Sequence, residues 1–410
     1  MTGNGIGNAW VANELRIIGE RGIPFVLHSM RRPDSTHHES EWARRIDART
    51  RVLYPMPPLG LAFSVLASPF LFGGRAFGAL MNALFGERET LRGRVACLFH
   101  FFAACHWARQ LRTEEVSLIH SQWVHSTGSI AMYGAWLLGV PFSFTGHAAD
   151  LFRDRVALRD KIRRADFIVC ISLFHREFFS SEGARPEQLE LVYCGIDTRH
   201  FSPPGPHSRR DGAPVRIRSS GRLVEKKGFP FLIEACGLLR DRGVPFECTI
   251  GGSGPMEAEL KEQVERLRLR DSVTVTGRAI KQEEIPEFMH AGDVYALPCV
   301  WASDNDVDGL PQMLMEAMAC GLPVVSTRLV GIPDLVHHEK TGLLVEPNDA
   351  HQLADALQRL AEEPGLGEQL AAAGRQRVLE NFDIATSLEP LVRRYRAHLG
   401  RHGDDCGAAR

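Results

Sequence analysis

The sequence of 410 residues lacks the features that mark several classes of protein. Its formal net charge is only −2, so no excess of either sign argues for binding to nucleic acid. Apolar residues make up 44% and charged residues 24%, which is close to the average of globular proteins and argues against a disordered chain. The length exceeds that of one ordinary domain and predicts two domains of roughly 200 residues each.

Cysteines are scattered, and their pattern excludes two kinds of site. The count of nine is odd, and no Cys-x-x-Cys pair occurs, which argues against a disulfide framework and against a zinc site. Most of these cysteines lie in apolar runs, where a free thiol behaves as a small hydrophobic group. The pattern predicts no metal site and favours a reducing, cytoplasmic compartment.

No uninterrupted apolar run is long enough for a transmembrane helix. The richest stretch, residues 59–85, is broken by Pro69 and by Gly73 to Arg75, whereas a spanning helix needs about 20 consecutive apolar residues. A buried pair of helices is the favoured interpretation, and a surface in peripheral contact with the inner face of the plasma membrane is the alternative. The first twenty residues lack a basic start followed by an apolar run, which predicts no signal peptide.

Short apolar segments alternate with amphipathic stretches along the whole chain. Such alternation predicts two parallel sheets covered by helices on both faces, an α/β fold with two Rossmann-like, doubly wound domains. The predicted strands are Pro24–Ser29, Arg51–Tyr54, Val116–His120, Pro141–Thr145, Phe167–Ile171, Leu189–Tyr193, Val215–Arg218, Phe246–Ile250, Val273–Thr276, Val294–Leu297, Pro323–Ser326 and Gly342–Val345.

The stretch Ser202 to Pro214 has the composition of a linker, with four prolines and two glycines. We therefore expect one domain over 1–205, a second domain over 206–383, and a last helix over 384–400 that packs back on the first domain. In such a pair, ligands are expected in a central cleft at the carboxyl ends of the strands.

The start of the chain departs from this scheme. Gly3, Gly5 and Gly7 precede a helix, and a glycine turn of this kind normally follows a first strand. Either the protein begins upstream or the first sheet lacks a strand, and the first interpretation is favoured. Gly5 and Gly7 are candidate site residues.

The first candidate site is the segment 219–228, Ser-Ser-Gly-Arg-Leu-Val-Glu-Lys-Lys-Gly, between a strand and a helix. Gly221 allows a close backbone turn, and Arg222 and Lys227 are suited to a diphosphate at the amino end of the helix. A solvated basic turn is the alternative for this pattern taken alone.

The second candidate site runs from Asp304 to Pro311 and continues into a helix that carries Glu316. The carboxylates of Asp308 and Glu316 can accept hydrogen bonds from hydroxyl groups, although Asp308 is equally suited to cap the helix. The spacing imitates a calcium loop, but Met315 stands where a bidentate Glu is required.

Weaker signals lie at the ends of other predicted strands. His147 follows one strand, and His120 ends another; both are candidates to bind a sugar hydroxyl, although each is as easily a structural histidine. Gly251 opens a glycine turn that would let a nucleotide approach, but such turns are common.

Together these segments resemble the retaining glycosyltransferases of family four, which have the GT-B fold, and within them the bacterial members that build exopolysaccharides of the colanic-acid type. The resemblance covers residues 115–395 and extends loosely back to residue 7. Its segments are 145–150 (Thr-Gly-His-Ala-Ala-Asp), 194–197 (Cys-Gly-Ile-Asp) with Phe201, 221–223 (Gly-Arg-Leu) with 227–228 (Lys-Gly), 308–311 (Asp-Gly-Leu-Pro) and 316–325 (Glu-Ala-Met-Ala-Cys-Gly-Leu-Pro-Val-Val).

The resemblance implies that the domain over 1–205 binds the acceptor, with Gly5, Gly7 and His120 on the acceptor side, and that the domain over 206–383 binds the donor. It also implies a role for each matching residue. Arg222 and Lys227 would hold the diphosphate of a nucleotide-sugar donor, and Glu316 would bind its ribose. Asp308, with the backbone of Gly309 and Leu310, would contact the donor sugar, and His147 would face the reacting sugar. Position 308 usually carries Glu in the family, so the shorter Asp puts the sugar contact in question.

The implied activity is that of a retaining hexosyltransferase that needs no metal or other cofactor. It would move a sugar to a glycan or polyprenyl-linked acceptor during synthesis of a cell-surface polysaccharide. Two alternatives remain: an epimerase or hydrolase of nucleotide sugars with the same fold, and a non-catalytic paralogue that binds nucleotide or glycan. No nucleic-acid partner is expected.

Overall fold

The computed structural model describes residues 1–7, 9–32, 40–148, 151–152, 155–203 and 213–407. These residues form two compact units, Met1–Tyr193 with Leu388–Arg410, and Cys194–Ser387. The chain enters the second unit soon after Tyr193, because the N–H of Ile196 donates to the carbonyl of Phe382 within that unit. The boundary expected near residue 205 falls in 204–212, outside the described residues.

The first unit contains six short strands and the first eight helices. Strands β3 to β6 form a parallel sheet in chain order, and β1 pairs in parallel with β2. The strands are β1 His28–Ser29, β2 Arg51–Val52, β3 Ile119–Ser121, β4 Phe142–Gly146, β5 Phe167–Cys170 and β6 Leu189–Leu191. The helices are α1 Ala9–Glu20, α2 Glu41–Arg49, α3 Pro58–Phe72, α4 Gly74–Phe85, α5 Leu91–Leu111, α6 Ser126–Leu138, α7 Leu158–Arg164 and α8 Leu173–Ser181.

The first two residues lie between β1 and β3. The N–H of Thr2 donates to the carbonyl of His28, and the N–H of Gln122 donates to the carbonyl of Met1. Thr2 also forms an isolated parallel bridge with Ser29. No named strand precedes α1 in the described residues, in line with the expectation, but Met1 and Thr2 make strand-like bonds on both sides.

Helices α3, α4 and α5 include the apolar stretch that follows residue 58. The expected pair of helices is present as α3 and α4, but the expectation that both are buried is wrong. Nine large apolar side chains of the three helices are 58–91% exposed: Leu59, Phe63, Leu66, Phe70, Phe77, Phe85, Leu91, Val95 and Phe99. No helix in the described part of the chain combines the length and hydropathy that crossing a bilayer requires.

The second unit is built on a six-stranded parallel sheet. Its strand order is β12-β11-β10-β7-β8-β9. The strands are β7 Val215–Ser220, β8 Phe246–Gly251, β9 Val273–Val275, β10 Val294–Leu297, β11 Val324–Thr327 and β12 Leu343–Val345. The helices are α9 Phe229–Asp241, α10 Glu257–Arg266, α11 Ile285–His290, α12 Gln312–Ala319, α13 Ile332–Leu335, α14 Ala350–Glu362, α15 Pro364–Asn381 and α16 Ile384–Ser387.

The last helix, α17 Glu389–Gly407, belongs to the first unit. His398 on this helix lies 3.1 Å from the Asp166 carboxylate, just before β5. Val392 packs with Ile18 and Ile23 at the end of α1. The chain therefore returns to its first unit after completing the second.

All twelve predicted strands are present, and the predicted α/β class with two parallel sheets is confirmed. In the second sheet the order reverses at β7: β8 and β9 follow on one side, and β10 to β12 lie on the other. Open α/β sheets bind ligands where the strand order reverses, beyond the carboxyl ends of the strands. The loops after β7 and β10 therefore define the place to look for a site.

Candidate functional site

The loop after β7 packs closely against the glycine turn after β8. The N–H of Gly221 donates to the carbonyl of Gly251 at 3.0 Å, and the N–H of Leu223 donates to Ser253 at 2.9 Å. A side chain on Gly252 would place its Cβ 1.9 Å from the carbonyl oxygen of Gly221, so only glycine permits this approach. In this geometry Gly251 positions the loop that carries the basic residues.

Two lysines at the end of this loop reach across to the loop after β10. Lys227 Nζ lies 2.6 Å from Asp308 Oδ2, and Lys226 Nζ lies 3.1 Å from Asp308 Oδ1. Lys226 also pairs with Asp306 at 3.1 Å. All four side chains are at least four-fifths buried, so these ion pairs are poorly screened by solvent.

The pairing shifts both partners toward their charged forms. Burial would lower the pKa of Lys227, but the Asp308 carboxylate raises it above the ordinary value, against the opposing charge of Arg222. Burial would raise the pKa of Asp308, but Lys227 and Lys226 hold it at about 2. The site is therefore a fixed array of charges at neutral pH.

Arg222 stands beside this array with its side chain exposed. Within the described residues its guanidinium makes no hydrogen bond and no ion pair. A guanidinium presents a planar set of donors that matches the oxygens of a phosphate. Arg222 and Lys227 together can therefore face a diphosphate.

Glu316 lies one turn inside α12 and is buried, with an exposure of 4%. Gln282 donates to its Oε1 at 3.3 Å, while its Oε2 has no hydrogen-bond partner among the described residues. Burial raises the pKa of Glu316 to about 7, although Gln282 opposes the shift. A buried oxygen without a partner is costly, so this carboxyl is suited to accept hydroxyl groups from a ligand.

The segment between the two acidic residues offers backbone donors. Gly309 is half-buried and Leu310 is buried. The carbonyl of Gly309 accepts from Gly331 at 2.9 Å, whereas its N–H and that of Leu310 donate to no group in the described part of the chain. These N–H groups can bind hydroxyl oxygens beside Asp308.

His147 belongs to the first unit, directly after β4, where it is 9% exposed. Its ring packs against Trp10 and Trp123, with centroids 4.3 and 4.6 Å away. Burial lowers the pKa of His147 to about 3, so the imidazole is neutral under ordinary conditions. Residues Ala149 and Asp150 of the same motif lie outside the described residues.

The acceptor-side candidates have structural contacts in the first unit. His120 directs one ring nitrogen to Ser143 Oγ at 2.9 Å and the other to Thr145 Oγ1 at 3.1 Å. This geometry favours a structural role for His120 over the expected acceptor contact. Gly5 donates its N–H to Ser29 Oγ at 2.6 Å, and Gly7 donates to the carbonyl of Asn4 at 2.9 Å.

Three residues that contribute to the second unit's site were not among the candidates identified from the sequence. Lys226 and Asp306 complete the charge array, and Gln282 holds Glu316. The two adjacent lysines in residues 225–228 were a visible signal for Lys226, and the alternating acidic residues in 304–308 were a visible signal for Asp306. No signal marked Gln282, because its contact with Glu316 joins segments 34 residues apart.

Comparisons with known proteins show the family of this chain. A family model described as glycosyl transferases group 1 matches residues 207–377, and one described as glycosyltransferase family 4 matches residues 79–200. A protein of Escherichia coli named as a colanic acid biosynthesis glycosyltransferase, WcaL, is 30% identical over 85% of this chain and 86% of its own. This chain belongs to the family-four glycosyltransferases.

One further relative of this glycosyltransferase matches over a shorter range, and one solved structure aligns over nearly the whole chain. The amylovoran biosynthesis glycosyltransferase AmsK of Erwinia amylovora is 35% identical over 58% of this chain, and the match covers less than two thirds of AmsK, 59%. The crystal structure of Anabaena Alr3699/HepE aligns over 97% of this chain and 98% of its own with a TM-score of 0.69. At 16% identity that likeness shows the fold, GT-B with two Rossmann-like domains.

Proposed function

We propose that the second unit of this glycosyltransferase binds the diphosphate of a nucleotide-sugar donor through Arg222 and Lys227, without a metal ion. The observation that carries the proposal is the position of these cations at the reversal of strand order, beside backbone donors and two carboxylates. Arg222 has no other partner in the described residues, and Lys227 is held by Asp308. Two fixed positive charges can neutralise a leaving diphosphate as a divalent cation would.

The sugar and the ribose would be held by the neighbouring groups. The unpartnered Oε2 of Glu316 supports a contact with ribose hydroxyls. The free N–H groups of Gly309 and Leu310 support a contact with hydroxyls of the donor sugar. Asp308 already binds two lysines, so we propose that it holds Lys227 in place more than it contacts the sugar.

The reaction would proceed with retention at the anomeric carbon. The bond from this carbon to the phosphate oxygen breaks, and its electron pair stays on the phosphate, where Arg222 and Lys227 stabilise the added negative charge. The acceptor oxygen forms the new bond on the same face, and its proton passes to the departing phosphate. This scheme needs no side chain as nucleophile and depends on positioning of the two substrates.

Relatives guide the choice of substrates. WcaL and AmsK are named for colanic acid and amylovoran biosynthesis, which supports a role in making an exopolysaccharide from a glycan or polyprenyl-linked acceptor. HepE was crystallised in complex with UDP, which makes UDP the first nucleotide to test.

The test is thermal unfolding of the protein with UDP, GDP, ADP and CMP, each with EDTA and with magnesium. A nucleotide at about 100 times its dissociation constant should stabilise the fold by roughly 2.7 kcal/mol. We expect one diphosphate to raise the Tm equally with and without magnesium, and Arg222→Ala and Lys227→Ala to abolish the shift.

Two other basic residues of the same unit provide matched controls. Arg270 and Lys261 each pair with an acid on the surface, so Arg270→Ala and Lys261→Ala should retain the nucleotide shift. A shift that needs magnesium would refute the metal-free scheme. A shift that survives in both site variants would refute the assignment of the diphosphate to Arg222 and Lys227.

A separate observation supports contact with a membrane surface. The nine exposed apolar side chains of α3, α4 and α5 form what we call the apolar surface, and three of them, Leu59, Phe70 and Leu91, are more than 80% exposed. On α3 the exposed residues recur every three or four positions, which puts them along one side of the helix. Exposed apolar patches of this kind mark interaction sites.

A lipid surface fits the composition of these helices. Residues 58–72 contain no charged side chain, and Arg75 is the one charged residue of residues 74–85. Exposed Arg75 and Arg92 are suited to the phosphates of anionic lipids beside the apolar side chains. We propose that the apolar surface lies in the interface of an anionic bilayer.

Flotation with phosphatidylcholine vesicles, with and without phosphatidylglycerol, tests this proposal. We expect the protein to float with the anionic vesicles, and Phe63→Ser with Phe70→Ser to reduce binding by about tenfold or more, since each phenylalanine contributes about 1.5–3 kcal/mol of burial. Leu173→Ser removes an exposed leucine of α8 and should leave flotation unchanged. A wild-type protein that fails to float would refute the proposal.

A further inference from the structure

Three aromatic rings from separate segments meet in the first unit. Trp10 is in the first turn of α1, Trp123 follows β3 and His147 follows β4. The two indoles are 5.6 Å apart and nearly perpendicular, and each lies within 5 Å of the imidazole, measured between ring centroids. His125 stacks on the far part of the group, 5.9 Å from Trp123 with an interplanar angle of 9°.

These rings differ from the aromatic residues of the core. Phe144, Phe167 and Phe179 are fully buried, and Trp107 is 3% exposed, whereas Trp10 and Trp123 are half-buried. The exposed parts therefore lie where β3 and β4 end, at the edge of a parallel sheet that generally binds ligands. Packing alone would favour complete burial of such large apolar groups.

The surrounding contacts hold the two indoles in place. Gln122 precedes Trp123, and its side-chain amide donates to the carboxyl of Glu14, one turn after Trp10 on α1. The carbonyl of Trp123 accepts from Ser121 Oγ at 2.7 Å and from Thr127 Oγ1 at 3.1 Å. These contacts fix the backbone that carries the indoles, and a binding surface with a fixed backbone loses less entropy when the ligand arrives.

The chemistry of the group favours a neutral sugar ring. Indole rings offer apolar faces, and each indole carries one polar N–H group. A pyranose has the complementary character, with C–H groups on its faces and hydroxyls around its rim. Sites for small molecules commonly combine aromatic walls with a few polar groups in this way.

We propose that Trp10 and Trp123, which pack on the ring of His147, form an aromatic platform that binds a pyranose ring of the acceptor glycan. The inference rests on the proposed transfer reaction, since it assigns a place to the second substrate. It adds two tryptophans to the acceptor side, where the sequence had indicated Gly5, Gly7 and His120.

Saturation-transfer NMR on the whole chain of 410 residues tests the platform directly. The probes are the methyl glycosides of glucose, galactose, mannose and fucose, with uridine and guanosine as planar competitors. We expect the protein to transfer saturation to at least one glycoside, most strongly to its ring C–H protons. Trp10→Ala and Trp123→Ala should weaken that binding by about tenfold, a loss of about 1.4 kcal/mol.

Matched variants separate binding from folding. Trp136→Ala removes another half-buried tryptophan of the first unit, one that packs under Arg164, and should leave the transfer unchanged. Trp10→Phe and Trp123→Phe retain an aromatic face and should restore part of the signal. The thermal shift with the diphosphate identified for the wild type should persist in every variant, because the donor residues lie in the second unit.

Two results would overturn the proposal. One is a wild-type protein that transfers saturation to none of the four glycosides, or that transfers it to the nucleosides instead. The other is glycoside binding that both alanine variants retain in full. Loss of the nucleotide shift in the wild-type protein would instead count against the donor site, so the two failures are distinguishable.

Discussion

Lys227 Nζ lies 2.6 Å from Asp308 Oδ2, and this contact joins the loop after β7 to the loop after β10. The two residues are 81 positions apart in the chain, yet each is the other's main electrostatic partner in a site with little solvent. The pair keeps a cation beside the proposed position of the diphosphate.

Asp308→Asn should destabilise the protein and make it more responsive to nucleotide. Removing one partner of a buried ion pair leaves uncompensated charge, so we expect the free energy of unfolding to fall by about 3 kcal/mol. A bound diphosphate would restore compensation for both lysines, so its stabilising effect should be larger than in the wild type. Urea unfolding with and without nucleotide measures both quantities.

Asp241→Asn is the control for this change, because Asp241 is exposed and pairs only with its neighbour Arg240. An unchanged response of Asp308→Asn to nucleotide would show that Lys227 is already available to the donor.

Loss of either proposed phosphate ligand should reduce the rate, and at the exposed Arg222 the loss should leave stability nearly unchanged. Removing one donor that stabilises charge in a transition state costs on the order of a hundredfold in rate. We expect kcat/KM for sugar transfer to fall by about that factor in Arg222→Ala and in Lys227→Ala. Arg222→Lys should recover part of the rate, since it retains the charge but not the planar set of donors. Wild-type rates in Arg222→Ala would exclude it from the site.

The buried carboxyl of Glu316 predicts that stability and affinity for the nucleotide sugar change with pH in opposite directions. Its folded-state pKa of about 7 exceeds the ordinary value of 4.5, so the folded protein binds more protons between these values. The free energy of unfolding should therefore fall as pH rises from about 4.5 to 7. Ribose hydroxyls would donate to the ionised carboxylate, so affinity for the nucleotide sugar should rise through the same range.

Glu316→Gln removes the titrating group and should flatten both profiles. Isothermal titration with an intact nucleotide sugar is the right measurement, because its diphosphate has no ionisation near neutral pH, unlike a free nucleoside diphosphate. An affinity that falls as pH rises would mean that the protonated form of Glu316 binds the donor.

Two glycines with similar backbone angles should respond differently to alanine. Gly228 and Gly243 have φ angles of 68° and 72°, so both substitutions force a side chain into the left-handed region at about 1–2 kcal/mol. At Gly228 the new Cβ would also lie 1.8 Å from the carbonyl oxygen of Pro298, whereas at Gly243 it would meet no atom within 4 Å.

We therefore expect Gly228→Ala to cost about 3 kcal/mol more than Gly243→Ala, as judged by urea unfolding. The change should also weaken nucleotide binding, because Gly228 directly follows Lys227. Equal losses in the two variants would show that the loop accommodates the side chain by moving.

The sequence by itself determined the fold class and the strands of both sheets. Buried parallel strands need short apolar runs and the covering helices need a longer period, so the two elements leave different patterns. The candidate site residues Arg222, Asp308 and His147 were also visible in the sequence, because all three follow predicted strands, where the polar side chains of an α/β protein generally meet ligands.

The tertiary structure alone decided which side chains are partners. His120 resembled a ligand in the sequence, but the register of β3 against β4 sets it opposite Ser143, whose hydroxyl it binds. Lys226 forms ion pairs with Asp306 and Asp308 because β7 lies beside β10 in the sheet. No local sequence pattern encodes that strand order.

The exposure of the apolar stretch after residue 58 could not be predicted for a different reason. A helix that is apolar on all sides is typical of a buried element, and its sequence does not say which side faces the core. In the folded unit, small residues such as Ala76, Ala79 and Ala83 face inward and allow close packing, while most of the phenylalanines, such as Phe70 and Phe77, point outward. Composition fixed the helices, and only packing against neighbouring helices decided which of their sides is left exposed.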